Sequence, residues 1–251
     1  ILGVKEVVSS DGHVARDVGI GGSQTKEKAI NYIFNSQNQD GSWGINPLTK
    51  FVTTVAVLRA LQENKISGSE VDKGVEWLSS YFADNTDYLA QKLLVTIPAG
   101  EATSSVETLL NNFDEISGGF AFDRGYQPDP STTAKVMKAL NRADYKDQGI
   151  TNINLTTTLG LKYLIGTKLP NNSWGAFVGG IGSIPLTSEV IETLLLWKHH
   201  EISIPTVTKI DDTLYPAIET LKSAQLPNGS WDNDILNTAL AYHAIKATKE
   251  S

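Results

Sequence analysis

The side chains with most chemistry to offer gather in one stretch. The longest loop-like insertion runs from Gly118 to Pro130 and carries Asp123, Arg124, Tyr126 and Asp129. Long loops held on a rigid scaffold often carry function, so these four form the candidate ligand site. Asp129 is followed by Pro130, Ser131 and Thr132 and then an apolar helical run. It reads as an acid at a helix N-terminus, with Ser131 or Thr132 as the cap. Asp211 and Asp212 stand before a helical run from Tyr215, and Asp232 and Asp234 follow Trp231; all four fit capping. His199 and His200 follow a helix ending at Trp197–Lys198, where a cation suits the C-terminal dipole. Adjacent helix positions diverge, so this pair does not chelate. His243 lies within residues 239–245 and reads as half-buried, while His13 sits in an N-terminal turn. No catalytic set, metal site or cofactor motif emerges from these spacings.

Absent residues narrow the chemistry further. The chain has no cysteine, which removes thiolate zinc sites, cysteine nucleophiles and internal thioesters. No Gly-x-Ser-x-Gly is present, and Gly179-Gly180-Ile181-Gly182 lacks the strand and lysine of a phosphate loop. Asn154-Leu155-Thr156, Asn171-Asn172-Ser173 and Asn228-Gly229-Ser230 fit the N-glycosylation pattern, but Asn and Ser are wanted in turns anyway. Asp and Glu number 28 against 21 Lys and Arg, a net charge of −7, so no nucleic-acid partner is expected. No stretch approaches the roughly 18 apolar residues of a transmembrane segment. The chain opens on Ile1 without a signal peptide, which suggests a processed piece of a longer protein.

These groups must be positioned by helices. Residues 1–24 lack a helical period; Val4, Val7, Val8 and the turn-like run 9–12 predict a short strand or hairpin, then a Gly21–Gly22 linker. From residue 25 to 251 a sixteen-residue frame recurs. Its copies run from Lys28 to Trp43, Lys73 to Tyr88, Ser105 to Phe120, Leu159 to Trp174 and Pro216 to Trp231. Position sixteen is aromatic in every copy. Each window is followed by a second helical stretch, such as residues 53–61, 132–140, 187–195 and 237–245; residues 88–94 serve the second copy, with Pro98 ending it. The unit is therefore a helix, an Asp/Asn-Gly turn bearing an aromatic, and a second helix. Neither helix buries its stripe alone, so neighbouring units must stack.

The frame Lys28-Ala29-x-x-Tyr32-Ile33-x-x-x-Gln37-x-x-x-Gly41-x-Trp43 resembles the "QW" repeat of squalene and oxidosqualene cyclases, as does the copy ending Gln225-x-x-x-Gly229-x-Trp231. The copy ending at Trp174 departs from it, with Lys168 for Gln and Asn172 for Gly. The resemblance implies an all-α fold, an α/α toroid or barrel of about five helical hairpins, preceded by the short β segment. That fold is shared with protein prenyltransferase β subunits, thioester domains and vitamin B12 carriers. Gln37 and Gln225 are expected to bond orphan backbone groups, Gly41 and Gly229 to take left-handed turns, and Trp43, Trp174 and Trp231 to brace neighbouring helix ends.

Each chemistry of the fold has its own residues. Class II terpene cyclases protonate an alkene with the middle Asp of Asp-x-Asp-Asp, followed by Thr-Ala. Here Asp129 and Thr133-Ala134 match, but Ser131 and Thr132 stand where two acids should be. An alcohol is no strong acid. The Asp-Cys-His zinc set and the Cys-Gln thioester pair both fail for want of cysteine. The expectation is a non-catalytic binding or structural module of a larger, exported prokaryotic protein, extracellular or at the cell surface. Its arm, residues 1–24, would offer a sheet edge to other domains or chains. The alternatives are an enzyme acting on an apolar or carbohydrate substrate, and a carrier of a small apolar ligand resembling the B12 carriers.

Overall fold

A computed structural model of the protein describes residues 6–8, 14–16, 19–97, 102–143, 153–198 and 210–250. His13, His199, His200 and Pro98 lie outside the described residues. The chain divides into two compact units, Ile1–Ser80 and Tyr81–Ser251.

In the first unit, β1 (Glu6–Val8) and β2 (Val14–Arg16) pair antiparallel with Val7 opposite Ala15, as expected of the N-terminal segment. Helices α1 (Gly19–Asn35), α2 (Pro47–Glu63) and α3 (Ser69–Ser80) follow. The Gly21–Gly22 linker is corrected: both glycines lie inside α1. A glycine costs only about 1 kcal/mol in a helix, and extending an established helix adds one hydrogen bond per residue fixed. Asn46 caps α2 by accepting from the Leu48 N–H, and Pro47 takes the first helical position.

The second unit contains α4 (Thr86–Thr96), α5 (Ala102–Leu110), β3 (Phe113–Asp114), β4 (Gly119–Phe120), α6 (Pro130–Arg142), α7 (Ile153–Gly166), α8 (Ile184–Trp197), α9 (Ile210–Ser223) and α10 (Ile235–Glu250). Helix α9 starts before Tyr215, so Asp211 and Asp212 are first-turn acids rather than residues preceding the helix. α4 packs on α6, α6 on α8, and α8 on α10, while α5, α7 and α9 flank this layer. Helices α6 and α8 run parallel. Thr193 Oγ1 of α8 donates to the Ala134 carbonyl of α6, and Trp197 Nε1 to that of Met137.

The repeated frame sets where these layer helices begin. In three copies the indole N–H of the aromatic donates across 2.7 Å to the frame's sixth carbonyl: Trp43 to Ile33, Trp174 to Leu164, Trp231 to Leu221. The aromatic's backbone N–H then donates to a threonine hydroxyl of the following helix: Trp43 to Thr54, Phe120 to Thr133, Trp174 to Thr187, Trp231 to Thr238. The three tryptophans thus bond a last-turn carbonyl of the first helix, and all four aromatics lock the register of the second. Trp43 also lies against α3, where a Cβ on Gly74 would come within 2.5 Å of its ring.

Between them, Asp40, Asn171 and Asn228 each accept from the N–H and hydroxyl of the serine two residues on. Gly41, Gly118 and Gly229 hold the left-handed position, and Asn172 takes it at φ +61°. Lys168 bonds the Asn172 side chain, which replaces the Gln-to-turn bond of the better copies. Gln37 Nε2 reaches the carbonyls of Gly41 and Glu70, and Gln225 Nε2 that of Gly229.

The second copy keeps the spacing but not the turn. α3 ends at Ser80 and α4 begins at Thr86, capped by Asn85, so Tyr88 is a helical residue and not a turn aromatic. Five linking residues are too few to carry the frame's turn.

Candidate functional site

The layer helices of the second unit start from side-chain caps. Asn85 accepts from the Tyr88 N–H, Asp129 from Thr132, Ser183 from Leu186 and Asp234 from Asn237. Asp129 itself is therefore the cap, which corrects the assignment to Ser131 or Thr132. Its carboxylate accepts the otherwise unpartnered Thr132 N–H, and Ser131 and Thr132 lie inside α6. Counting from each cap, the second, sixth and ninth residues share one helical stripe. In α4 this stripe carries Asp87 and Gln91, in α6 Ser131, Lys135 and Lys138, in α8 Glu189 and Glu192, and in α10 His243. On α6 it lies on the side away from α7, which packs Gly160 against Met137.

Ion pairs cross this stripe from helix to helix. Asp87, which also bonds Gln91, receives Lys135 Nζ. Lys138 Nζ lies 2.9 Å from Glu192 and 3.6 Å from Glu189. Nδ1 of His243 lies 2.8 Å from the other oxygen of Glu192. Burial would raise the Glu192 carboxyl, but the His243 bond and Lys138 win and hold it at about 2. Burial would lower the Lys135 ammonium; Glu189, Asp87 and Asp129 outweigh it and raise it. Asp129 has the opposite balance. Burial raises its carboxyl above the ordinary range despite the Thr132 bonds and Lys135, and Asp87 adds to the rise.

The four loop residues have separate fates. Asp123 accepts from the Arg124 N–H, and Arg124 Nε reaches Asn112 Oδ1 at 3.2 Å. Tyr126 is exposed. Only Asp129 approaches the ion-paired stripe. Its loop is tied down by Thr86 N–H donating to the Phe122 carbonyl and by Tyr163 Oη donating to that of Pro128. Tyr163's own hydroxyl is pushed up by burial, then by Asp129 and Asp114. His243 is exposed and hydrogen-bonded to Glu192, not half-buried. It stands on α10, which packs on α8 and α9. Asp87, Lys135, Lys138, Glu189 and Glu192 were not singled out by sequence. The available signal was the slot five residues after the clamp threonine, which holds Lys138, Glu192 and His243 in successive copies. Among the described residues no cluster of His, Asp and Glu could hold a metal ion.

No protein-family model matches the chain. It is 28% identical over 153 residues to the squalene–hopene cyclase of Alicyclobacillus acidocaldarius, a match covering 52% of this chain and 23% of that protein. The matched stretch thus spans less than a quarter of the length of that curated relative. A glycosyl hydrolase family 88 protein from Bacteroides vulgatus superposes with a TM-score of 0.64 at 12% identity, covering 92% of this chain and 86% of that one. The ent-copalyl diphosphate synthase of Streptomyces platensis superposes at 0.57 with 15% identity, covering 93% and 49%. The fold is a squalene-cyclase-like α/α toroid, one scaffold shared by terpene cyclases and glycosyl hydrolases.

Proposed function

We propose that the chain is a non-catalytic binding or structural module of a larger, exported prokaryotic protein, outside the cell or at its surface. One observation carries the reading. The stripe turned away from the flanking helices offers Ser131 where the resembling cyclases place their acid, and Asp87, Glu189 and Glu192 on that stripe are engaged by lysines. Glu192 is held ionised by His243 and Lys138, and a carboxylate so held is a poor proton donor. The antiparallel pair of β1 and β2 supports an assembly role, because a two-stranded sheet can accept a further strand, and a cysteine-free chain tolerates an oxidising exterior. The same charged stripe counts against a carrier of a small apolar ligand, because such a ligand would strip water from paired ions.

A second reading, an enzyme on an apolar or carbohydrate substrate, is favoured by Asp129 alone, whose carboxyl is raised by burial beside Lys135. Incubation with an acyclic terpenoid hydrocarbon, a prenyl diphosphate and a panel of oligosaccharides separates the two. Product analysis by mass spectrometry should find no turnover. Turnover that disappears in Asp129→Asn would establish the enzyme instead.

A further inference from the structure

Among the described residues of the unit 81–251, nine of thirteen exposed large apolar side chains lie in the four loops that lead into α4, α6, α8 and α10, or in the first turn of those helices. Phe82, Phe122, Tyr126, Phe177, Ile181 and Ile235 are among them, with Ile181 and Ile235 92% and 89% exposed. α6 and α8 run parallel, Thr86 at the start of α4 bonds Phe122 in the loop before α6, and α8 and α10 meet through Glu192 and His243 at equal distances from their caps, so the four loops open at one end. Soluble surfaces seldom concentrate large apolar groups in this way without something to cover them.

The same loops hold most of the chain's charge imbalance. Residues 81–85, 111–129, 167–183 and 224–234 contain seven acids against two cations, where the whole chain is at −7. Asp84, Glu115, Asp123 and Asp232 stand among the exposed apolar groups. An anionic lipid surface would be repelled by this end, and so would a second copy of it. A partner that brings positive charge together with apolar side chains satisfies both features at once.

We propose that this end of the layer is a docking face for a protein segment rich in basic and apolar side chains. The inference rests on the module reading for its biological sense, but not on the absence of catalysis. The test is selection of displayed random peptides on the full chain, followed by fluorescence anisotropy of the enriched sequences. Enriched peptides should carry net positive charge with aromatic or branched residues. Their binding should weaken about tenfold in Phe177→Ser/Ile181→Ser, both exposed positions that leave the core intact, and weaken as salt rises. No enrichment, acidic or purely polar peptides, or unchanged binding by the variant would overturn the proposal. Sedimentation with phosphatidylcholine vesicles, or self-association lost in the same variant, would assign the face to lipid or to a second copy. Turnover in the product assay would remove the module reading and leave this result standing.

Discussion

Replacing Trp174 by Phe tests the clamp that builds the layer. Trp174 is fully buried, and its indole N–H is 2.7 Å from the Leu164 carbonyl. Phenylalanine removes that donor and leaves the buried carbonyl only the longer 3.3 Å bond from Thr167 Oγ1, at a cost of about 1–3 kcal/mol. The smaller ring leaves a void worth about 1 kcal/mol more. The expected loss is therefore about 2–4 kcal/mol. Register should survive, because the third copy already carries Phe120 with its backbone N–H on Thr133 at 2.9 Å. Urea unfolding followed by circular dichroism at 222 nm measures the change, and the slope of the transition should stay the same. A loss below about 0.5 kcal/mol would refute the claim that the indole bond braces the repeat.

Other perturbations have equally definite outcomes. Gly74→Ala should cost about 1–3 kcal/mol in the same assay, because its Cβ would meet the Trp43 ring at 2.5 Å while the ring is held by Ile33. Gly229→Ala should cost only about 1–2 kcal/mol, the backbone penalty of φ +85° with nothing within 4 Å, whereas Gly41→Ala adds a collision with the Lys73 carbonyl at 2.5 Å. Glu192 is held at about 2 in the fold against 4.5 unpaired, so its contribution is complete above the unpaired value and is lost as pH falls through 4.5 toward 2. That contribution is on the order of 3 kcal/mol. Lys138→Met should destabilise by about 3 kcal/mol at neutral pH and flatten this acid dependence, read from urea midpoints between pH 3 and 7.

The toroid was legible because its frame repeats residue types: an aromatic, a turn with a left-handed position and a capped apolar run can be seen without knowing what packs on what. The second copy shows the limit. Its Tyr88 keeps the spacing, yet the shortened link lets Asn85 cap a helix that absorbs it. The ion-paired stripe escaped for a different reason. Its repeat slot holds Lys138, Glu192 and His243, three unlike residues whose complementarity exists only once α6, α8 and α10 are neighbours. The loop from Gly118 to Pro130 drew notice by its length, and much of its polar chemistry is spent on its own turns and on capping α6. Asp129 illustrates both effects: its place at a helix N-terminus could be seen in the sequence, while its being the cap in place of Ser131 or Thr132, and its raised carboxyl, come from the folded geometry and burial.

The central claim is that the acids along the layer are closed by ion pairs instead of being held ready to give protons. Carbon-13 NMR titration of the glutamate side-chain carboxyls, with Glu192 assigned through Glu192→Gln, tests it most directly. The account predicts that Glu192 titrates at about 2 and moves upward in Lys138→Met. A Glu192 carboxyl that titrates at or above the ordinary glutamate value, or that ignores Lys138, would contradict it.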